Sequence, residues 1–316
     1  MRERASRMNA VVGTSDERPL GRWLVFLATV FWGGTATLAR SVFRDHGVPP
    51  LTVVELRFVI AAALLFAWLA LRNRAALRVH PRDTGYFVVL GVFGVAAVQG
   101  TYYYSIARLG VGLAILLQYV APSLIVLWDL VRGKRPSPGT ALAVVLALAG
   151  TALLVNGVDT SRLHASVLDW VVGFSSSVIF AFYVIFSKRG LTRYAPETVL
   201  VYTFTIAALL WACVTPPWRI VAAAYPARLW WSFLLLGVFS TLVPFRCFYA
   251  GLKRLPATEA GVIATSEPVV AIGAAAVFLG ETLRPLQVVG AVMVIGAALL
   301  ATRGHPETAE ASVERS

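Results

Sequence analysis

Ten apolar stretches follow one another along this 316-residue chain, separated by short segments rich in charged residues, proline and glycine. Each stretch is about 20 residues long, which as an α-helix is enough to cross the hydrocarbon core of a bilayer. Because lipid offers the backbone no hydrogen-bond partner, such stretches must fold as helices. The apolar windows are residues 22–42, 52–71, 84–104, 112–131, 138–156, 168–187, 197–215, 229–250, 257–279 and 284–302.

The composition excludes most soluble classes of protein. Only 14% of the residues are charged and 58% are hydrophobic, whereas soluble domains carry about a quarter charged residues. The net charge of +12 would suggest a nucleic-acid partner in a soluble chain, but the basic residues lie between the apolar windows and no nucleic-acid-binding motif accompanies them. We therefore predict an all-α integral membrane protein that contacts the lipid bilayer and no nucleic acid, with polar tails at residues 1–21 and 303–316.

Lys and Arg are distributed unequally between the two sets of alternate loops. The set that includes the N-terminal tail carries 18 of them, and the opposite set carries 7. Cytoplasmic loops carry the excess of positive charge in membrane proteins. Both tails are therefore predicted to be cytoplasmic, and the chain is predicted to cross the cell membrane (plasma or inner membrane) ten times.

A repeat with a spacing of 146 residues divides the chain into two halves. The sequence Leu-Gly-Val-Phe at 90–93 recurs at 236–239, and Pro122 recurs as Pro268 at the same spacing. The spacing covers five helices, an odd number, so the second copy is inserted upside down. We predict two inverted five-helix repeats, an architecture typical of alternating-access transporters. The repeats cover residues 22–156 and 168–302.

The two recurring prolines lie in the middle of predicted spans, and Pro268 directly follows Glu267. A proline removes a backbone hydrogen bond and can free a carbonyl for a ligand, although an ordinary kink is an alternative. A carboxylate at this depth can bind a proton or a substrate ammonium, or it can be a structural acid bonded to a neighbouring helix. Pro122, Glu267 and Pro268 are thus candidate binding residues, and proton coupling through Glu267 stays open.

Polar and aromatic side chains at the same predicted depth complete a candidate cavity. Gln118 and Tyr119 lie within one helical turn of Pro122, although Gln118 can also join two helices by hydrogen bonding. Trp32 stands beside Gly33 in the first window, and Tyr183 lies in the sixth. Aromatic side chains of this kind either line a cavity or pack in the core. A cavity with these side chains suits an amphipathic or aromatic solute.

Arg246 lies next to Phe245, about one turn inside the predicted cytoplasmic end of the eighth window. It can bind a substrate carboxylate or pair with Glu267, or its long side chain can reach the lipid headgroups. The equivalent position in the first repeat directly follows Gln99. We include Gln99, Phe245 and Arg246 among the candidate binding residues.

Two further groups lie toward the predicted outer side of the membrane. Tyr102, Tyr103 and Tyr104 are typical of an aromatic belt at the membrane surface. Tyr103 is also a binding candidate, because its equivalent in the second repeat, Tyr249, is again a tyrosine. For Arg57 we expect a mainly structural role near the outer interface.

Several short motifs occur together with this helix count. They are Phe31-Trp32-Gly33-Gly34 in the first window, Arg57-Phe58 early in the second, the prolines in the fourth and ninth, and Leu279-Gly280-Glu281 ending the ninth. Together with the five-plus-five arrangement, they make residues 22–302 resemble the drug/metabolite transporter superfamily, EamA type. The resemblance implies a ten-helix carrier of small organic solutes, often an exporter of amino acids or related metabolites. It also implies a central cavity lined by helices 1, 3, 4, 6, 8 and 9.

Enzymatic chemistry finds little support in the predicted spans. All four histidines lie in loops or tails, and no span carries a nucleophile with its base or a pair of catalytic carboxylates. We predict a secondary transporter that exports small-molecule substrates such as amino acids by alternating access, without a cofactor. An intramembrane acyl- or glycosyltransferase and a channel are the alternatives.

Overall fold

The computed structural model describes residues 17–155, 165–280 and 282–303, so most of both predicted tails and Glu281 lie outside the described residues. Regular structure in the described ranges is helical and forms ten principal helices, of which nine are long and apolar enough to cross a membrane and the fifth is shorter. The helices are α1 (Arg18–Arg44), α2 (Pro50–Arg72), α3 (Thr84–Val89, Leu90–Ala96 and Ala97–Leu109), α4a (Val111–Gln118), α4b (Ala121–Val131), α5 (Pro138–Leu154), α6 (Val167–Leu191), α7 (Pro196–Val214), α8 (Ala227–Gly237, Val238–Leu242 and Val243–Arg254), α9a (Ala257–Ala264), α9b (Glu267–Leu279) and α10 (Pro285–Arg303).

Successive helices run in opposite directions, so the bundle has two ends. We call one the tail end, where α1 begins and α10 ends; there Arg22 donates from Nη2 to the carbonyl of Thr302 at 2.7 Å. We call the other the far end, where α3 ends and α6 begins; there Arg108 donates from Nε to Asp169 Oδ1 at 2.9 Å. Contacts between residues distant in the sequence therefore fix the up-and-down order of the helices.

The 146-residue repeat is also present in the helix geometry. α4a and α9a begin and end at positions related by this spacing, and so do the starts of α2 and α7. Both α3 and α8 contain a π-helical segment at the corresponding place. Gly91 packs against Ile206, and their equivalents Gly237 and Ile60 pack in the same way, each glycine leaving no room for a Cβ atom. The predicted fold class, an all-α membrane protein of two five-helix repeats, is confirmed.

Four helices extend at least four residues beyond their apolar windows at one end. α1 begins at Arg18 rather than residue 22, α3 continues past residue 104 to Leu109, and α6 and α8 end later at Leu191 and Arg254. Long basic and aromatic side chains reach water or headgroups while their backbone stays helical, so the helix outlasts the apolar run. α3 stops at Gly110, whose φ of 85° is a left-handed conformation that glycine adopts without strain.

The largest group of buried apolar side chains lies between α1, α2, α3, α6, α7 and α8. α5 and α10 stand beside this group as a closely packed pair. Their backbones approach at Gly150 and Gly290, where an added Cβ atom would lie 2.8 and 2.6 Å from the carbonyl oxygen of the other glycine. The broken helices α4 and α9 connect this pair to the rest of the bundle.

Candidate functional site

Helices α4 and α9 are both interrupted for two residues near their middle. In α9 the chain leaves the helix at Thr265 and Ser266, whose amides bond three residues back to Val262 and Ile263 at 3.1 and 3.0 Å. A new helix then starts, and Pro268 is the second residue of α9b, where its missing N–H costs no helical hydrogen bond. Equivalent residues make the break in α4. The break therefore precedes each proline, and the proline lies in the first turn of the second half-helix.

A hydrogen bond joins the two breaks. Tyr119 donates its hydroxyl to Glu267 Oε2 at 2.8 Å. Tyr119 is only 5% exposed, whereas Glu267 is half-buried. Gln118, the last residue of α4a, is half-buried, and its Oε1 is buried without a hydrogen-bond partner among the described residues. Three of the predicted binding residues thus meet where α4 and α9 are interrupted.

Gly33 brings the backbone of α1 onto the start of α9b. A Cβ atom at this position would lie 2.8 Å from the carbonyl oxygen of Glu267 and 2.8 Å from the amide nitrogen of Ala271. Only glycine allows this approach. The neighbouring Trp32 is half-buried and contacts Phe245, with ring centroids 5.3 Å apart. Gly33 therefore borders the break of α9 from the side of α1, whereas Trp32 contacts α8.

Arg57, on α2, is the buried cation nearest to this region. It is 6% exposed and donates from Nε to Thr241 Oγ1 at 2.8 Å and from Nη1 to the hydroxyl of Tyr103 at 3.2 Å. Its Nη2 lies 3.4 Å from the carbonyl of Ser240, and both α8 partners belong to the π-helical segment. Arg57 interacts electrostatically with Glu267, but the ion pairs among the described residues do not join the two.

Two neighbouring tyrosines of α3 interact with these charged side chains, one with Arg57 and the other with Glu267. Tyr103 bonds to Arg57, and Tyr102 interacts electrostatically with Glu267 and with Tyr119. We call Arg57, Tyr102, Tyr103, Tyr119 and Glu267 the central polar cluster.

Two members of this cluster, Arg57 and Tyr102, are absent from the binding residues that the sequence predicts. The expected role of Arg57 is mainly structural near the outer interface, and Tyr102 is typical of an aromatic belt. A usable signal was present for Arg57. A charge inside a membrane span is costly and faces protein or a wet cavity, so Arg57 and Glu267 were natural partners in one cavity.

The remaining aromatic candidates lie in the core instead. Tyr183 is 2% exposed and Phe245 is 8% exposed. The ring of Tyr183 stacks on Phe248 with centroids 6.2 Å apart and contacts Phe245 at 6.4 Å. These rings fill the space between α1, α6 and α8, where Trp32 meets them. Gln99 is half-buried in α3, and no hydrogen bond recorded for the described residues joins it to the central polar cluster.

Pairing of Arg246 with Glu267 is one of the alternatives that the sequence leaves open, and the side chain pairs with Glu197 instead. It donates from Nε to Glu197 Oε1 at 2.7 Å, and its guanidinium carbon lies 5.4 Å from the ring centroid of Trp68. Successive residues on a helix point about 100° apart. Phe245 therefore faces the core while Arg246 faces α2 and α7, where it lines a separate cavity of about 930 Å³ at the tail end.

The tail end is closed by polar contacts between helices. Arg22 of α1 donates from Nε to Glu259 of α9a at 2.7 Å, and Glu259 is 1% exposed. Thr258 donates to Asp129 of α4b at 3.2 Å, and Lys188 of α6 donates to backbone carbonyls at the end of α8. The tail-end halves α4b and α9a pack against each other, whereas α9b packs mainly against α1. In the described part of the chain no group of His, Cys, Asp and Glu side chains could hold a metal ion.

Comparisons with known proteins agree with this geometry. The threonine/homoserine exporter RhtA of Escherichia coli K12 is 29% identical over 298 residues, which cover 92% of each chain. The uncharacterized transporter YwfM of Bacillus subtilis is 26% identical over 298 residues, covering 91% of this chain and 96% of YwfM. A crystal structure of a protein with 23% identity has the same fold, with a TM-score of 0.74 over 90% of this chain and 97% of that one.

The family comparison finds both halves separately. The EamA-like transporter family matches residues 19–156 and again residues 170–303, which confirms the resemblance noted in the sequence. The chain therefore belongs to the EamA-like transporter family of the drug/metabolite transporter superfamily, as a multi-pass membrane transporter of small solutes rather than an enzyme.

Proposed function

We propose that this transporter exports small zwitterionic solutes, namely amino acids or close relatives, from the cytoplasm, and that it binds them at the central polar cluster. The observation that carries the proposal is the pair of opposite charges, Glu267 and Arg57. Both belong to the central polar cluster and interact electrostatically. Each forms a hydrogen bond with a tyrosine rather than an ion pair with the other. A zwitterion supplies an ammonium for the first and a carboxylate for the second.

The hydrogen bonds leave room for such a ligand on both charges. Tyr119 donates to one oxygen of Glu267. No hydrogen bond to the other oxygen, Oε1, occurs among the described residues, so Oε1 can accept from an ammonium. Arg57 has five N–H donors, of which Thr241, Tyr103 and Ser240 take three. Two donors remain for a carboxylate, which an arginine fork binds in a bidentate manner.

The half-helix ends strengthen the preference for an anionic group. The N-termini of α4b and α9b both start at the breaks, and a helix N-terminus carries a partial positive charge. Discontinuous helices aim such ends at the anionic group of the substrate in other transporters. The half-buried Trp32 supplies an apolar wall for the substrate side chain. RhtA is named for the export of threonine and homoserine, which supports the amino-acid class.

The positive-inside distribution of Lys and Arg supports a cytoplasmic tail end, in an inner or plasma membrane. In that orientation the polar contacts at the tail end close the cytoplasmic side. The two ends carry related ion pairs. Arg108 pairs with Asp169 of α6 at the far end, and its equivalent, Arg254, lies 3.8 Å from Glu17 before α1 at the tail end. Alternating access then requires these contacts to break and form in turn.

Counterflow in proteoliposomes tests this function. Vesicles of purified protein and lipid are loaded with unlabelled threonine and diluted into labelled threonine. We expect transient accumulation that requires the protein and that other amino acids inhibit. Homoserine lactone and threonine amide, which lack the free carboxylate, serve as matched controls and are expected to compete weakly. Folded protein that gives no counterflow with any of the common amino acids would refute the proposal.

A further inference from the structure

The cavity around Arg246 is a second site, distinct from the central polar cluster, with which it shares no residue. Its volume is about 930 Å³. α1, α2 and α8 form its walls, and the end of α6 and the start of α7 form its base at the tail end. The residues that carry the argument are Leu64, Trp68, Leu242, Arg246, Cys247 and Lys253.

The α2 wall of the cavity belongs to a helix whose apolar length crosses a membrane. On this wall, Leu64 is 39% exposed and Trp68 is 44% exposed, and both line the cavity. The cavity therefore presents accessible apolar side chains at membrane depth.

Polarity changes along the cavity in the same direction as in a phospholipid. On α8 the lining begins with Val238, Leu242 and Val243 toward the middle of the bundle and ends with Lys253 and Arg254 at the tail end. At 1.5 Å per residue, Val238 and Arg254 are about 24 Å apart along the helix axis. Half of the hydrocarbon core is about 15 Å thick. The cavity therefore runs from the middle of the membrane to the headgroup region of one leaflet.

The charge of the lining favours an anion at the headgroup end. Four basic side chains line the cavity, against two acidic ones. Arg246 pairs with Glu197 and stacks over Trp68, and Arg254 lies 3.8 Å from Glu17, so these two pairs balance two of the basic side chains. Lys253 is exposed at the tail end. A positive excess thus remains where a lipid phosphate would lie.

We propose that this cavity binds one anionic phospholipid from the leaflet at the tail end. The phosphate is held by Lys253, and an acyl chain lies along Leu64, Leu242 and Val243. A soluble anion could use only the polar end of the site. The apolar length of the cavity favours a lipid.

Native mass spectrometry of the full chain in detergent tests the proposal. Dioleoyl phosphatidylglycerol, dioleoyl phosphatidylcholine and glycerol 3-phosphate are titrated separately. We expect one phosphatidylglycerol per chain to be retained in preference to phosphatidylcholine, and no glycerol 3-phosphate. Equal retention of the two lipids, or binding of glycerol 3-phosphate with the affinity of phosphatidylglycerol, would overturn it.

Three variants assign the binding to this cavity. Lys253→Gln should weaken phosphatidylglycerol binding about fivefold, because one Lys near an anionic headgroup contributes ~1 kcal/mol. Ala250→Trp, which fills the cavity from α8, should abolish retention. Arg303→Gln removes an exposed charge at the end of α10, outside the cavity, and should change nothing. Retention that survives Ala250→Trp in folded, monodisperse protein would contradict the proposal.

Cys247 gives an independent readout, because it is a free, half-buried thiol that lines the cavity. With Cys213 replaced by serine, maleimide labelling of Cys247 should slow severalfold in vesicles that contain phosphatidylglycerol, relative to phosphatidylcholine alone. Addition of threonine should not protect it. Protection by threonine with no effect of the lipid would make the cavity part of the solute path and overturn the lipid assignment. Loss of amino-acid counterflow alone would leave this result unaffected, so the two proposals fail separately.

Discussion

The breaks in α4 and α9 have the same backbone and different chemistry. Each break spans two residues, each is followed by a half-helix with proline at its second position, and the residues that begin and end the two breaks are related by 146. The first residue of α9b is Glu267, whereas its equivalent in α4b is Ala121. Conversely, α4 contributes Tyr119, whose equivalent in α9 is Thr265, and the hydroxyl of Thr265 bonds within its own helix to Val262.

This difference separates two requirements of a carrier. A repeated backbone break lets the two halves exchange conformations, which alternating access requires. In the proposed function, a single carboxylate gives a zwitterionic substrate one orientation between Glu267 and Arg57. We therefore attribute movement to the repeat and recognition to its departure from symmetry.

Removal of the Glu267 carboxylate, which occurs at only one of the two breaks, should have the largest effect on transport. We expect Glu267→Gln to lower the apparent affinity for an amino acid about 100-fold, because the loss of one member of a buried, hydrogen-bonded charge pair costs ~2–5 kcal/mol. Any pH dependence of transport should disappear, since Gln does not titrate. Ala121→Gln at the equivalent position is the matched control and should keep at least half of the activity. Counterflow measured between pH 5.5 and 8.5 checks both, and an unchanged pH profile with unchanged affinity would refute the role of Glu267.

Arg57→Gln should have the next largest effect, about 30-fold on apparent affinity, because hydrogen bonds to a charged group contribute ~1.5–3 kcal/mol. Arg57→Lys keeps the charge and should recover part of the affinity, although it cannot reproduce the fork geometry. Arg246→Gln is the control, because Arg246 lies outside the central polar cluster and pairs with Glu197. Equal losses in Arg57→Gln and Arg246→Gln would indicate a general charge effect instead of a site.

Tyr119→Phe should lower apparent affinity about fivefold, since it removes one hydrogen bond worth ~1 kcal/mol. The ring and its packing remain. Tyr183→Phe, in the buried aromatic core, should leave affinity within twofold of the unmodified protein. The same counterflow assay and a thermal unfolding curve distinguish loss of binding from loss of stability. A larger effect at Tyr183 than at Tyr119 would move the site into the core.

The smallest effects are expected at the prolines. Pro122→Ala and Pro268→Ala should each slow transport only about twofold with stability nearly unchanged, because a proline in the first helical turn gives up no helical hydrogen bond. The symmetry of the breaks predicts similar values for the two. A strong loss at Pro268 alone would show that the α9 break depends on its proline and the α4 break does not.

Much of the fold could be predicted from the sequence because its signals are local or periodic. Apolar length defines the spans, and the prolines at 122 and 268 mark where the fourth and ninth spans are interrupted. The contact of Tyr119 with Glu267 could be expected only as shared depth. Shared depth does not determine direction around a helix, and for this reason Arg246 was placed with Glu267 although it faces α2 and α7.

The hydrogen-bond partners of Arg57 depend on contacts that no local pattern reveals. Its partners Ser240 and Thr241 belong to a π-helical segment of α8, and the wider turn changes which residues face α2. Burial similarly separated aromatic residues that looked alike in sequence. Trp32 is half-buried, whereas Tyr183 lies within the core.

Ligand discrimination by Glu267 and Arg57 variants tests directly whether these two side chains bind opposite ends of the substrate. Thermal shift assays compare threonine, its decarboxylated amine 1-amino-2-propanol and its deaminated acid 3-hydroxybutyrate, on the unmodified protein, Glu267→Gln and Arg57→Gln. We expect threonine to stabilise the unmodified protein most, because it carries a group for each of the two charges. A ligand that binds the folded state raises its stability. Glu267→Gln should no longer distinguish threonine from 3-hydroxybutyrate, and Arg57→Gln should no longer distinguish it from 1-amino-2-propanol. Full discrimination retained in both variants would contradict the assignment of the two charges to the two ends of the substrate.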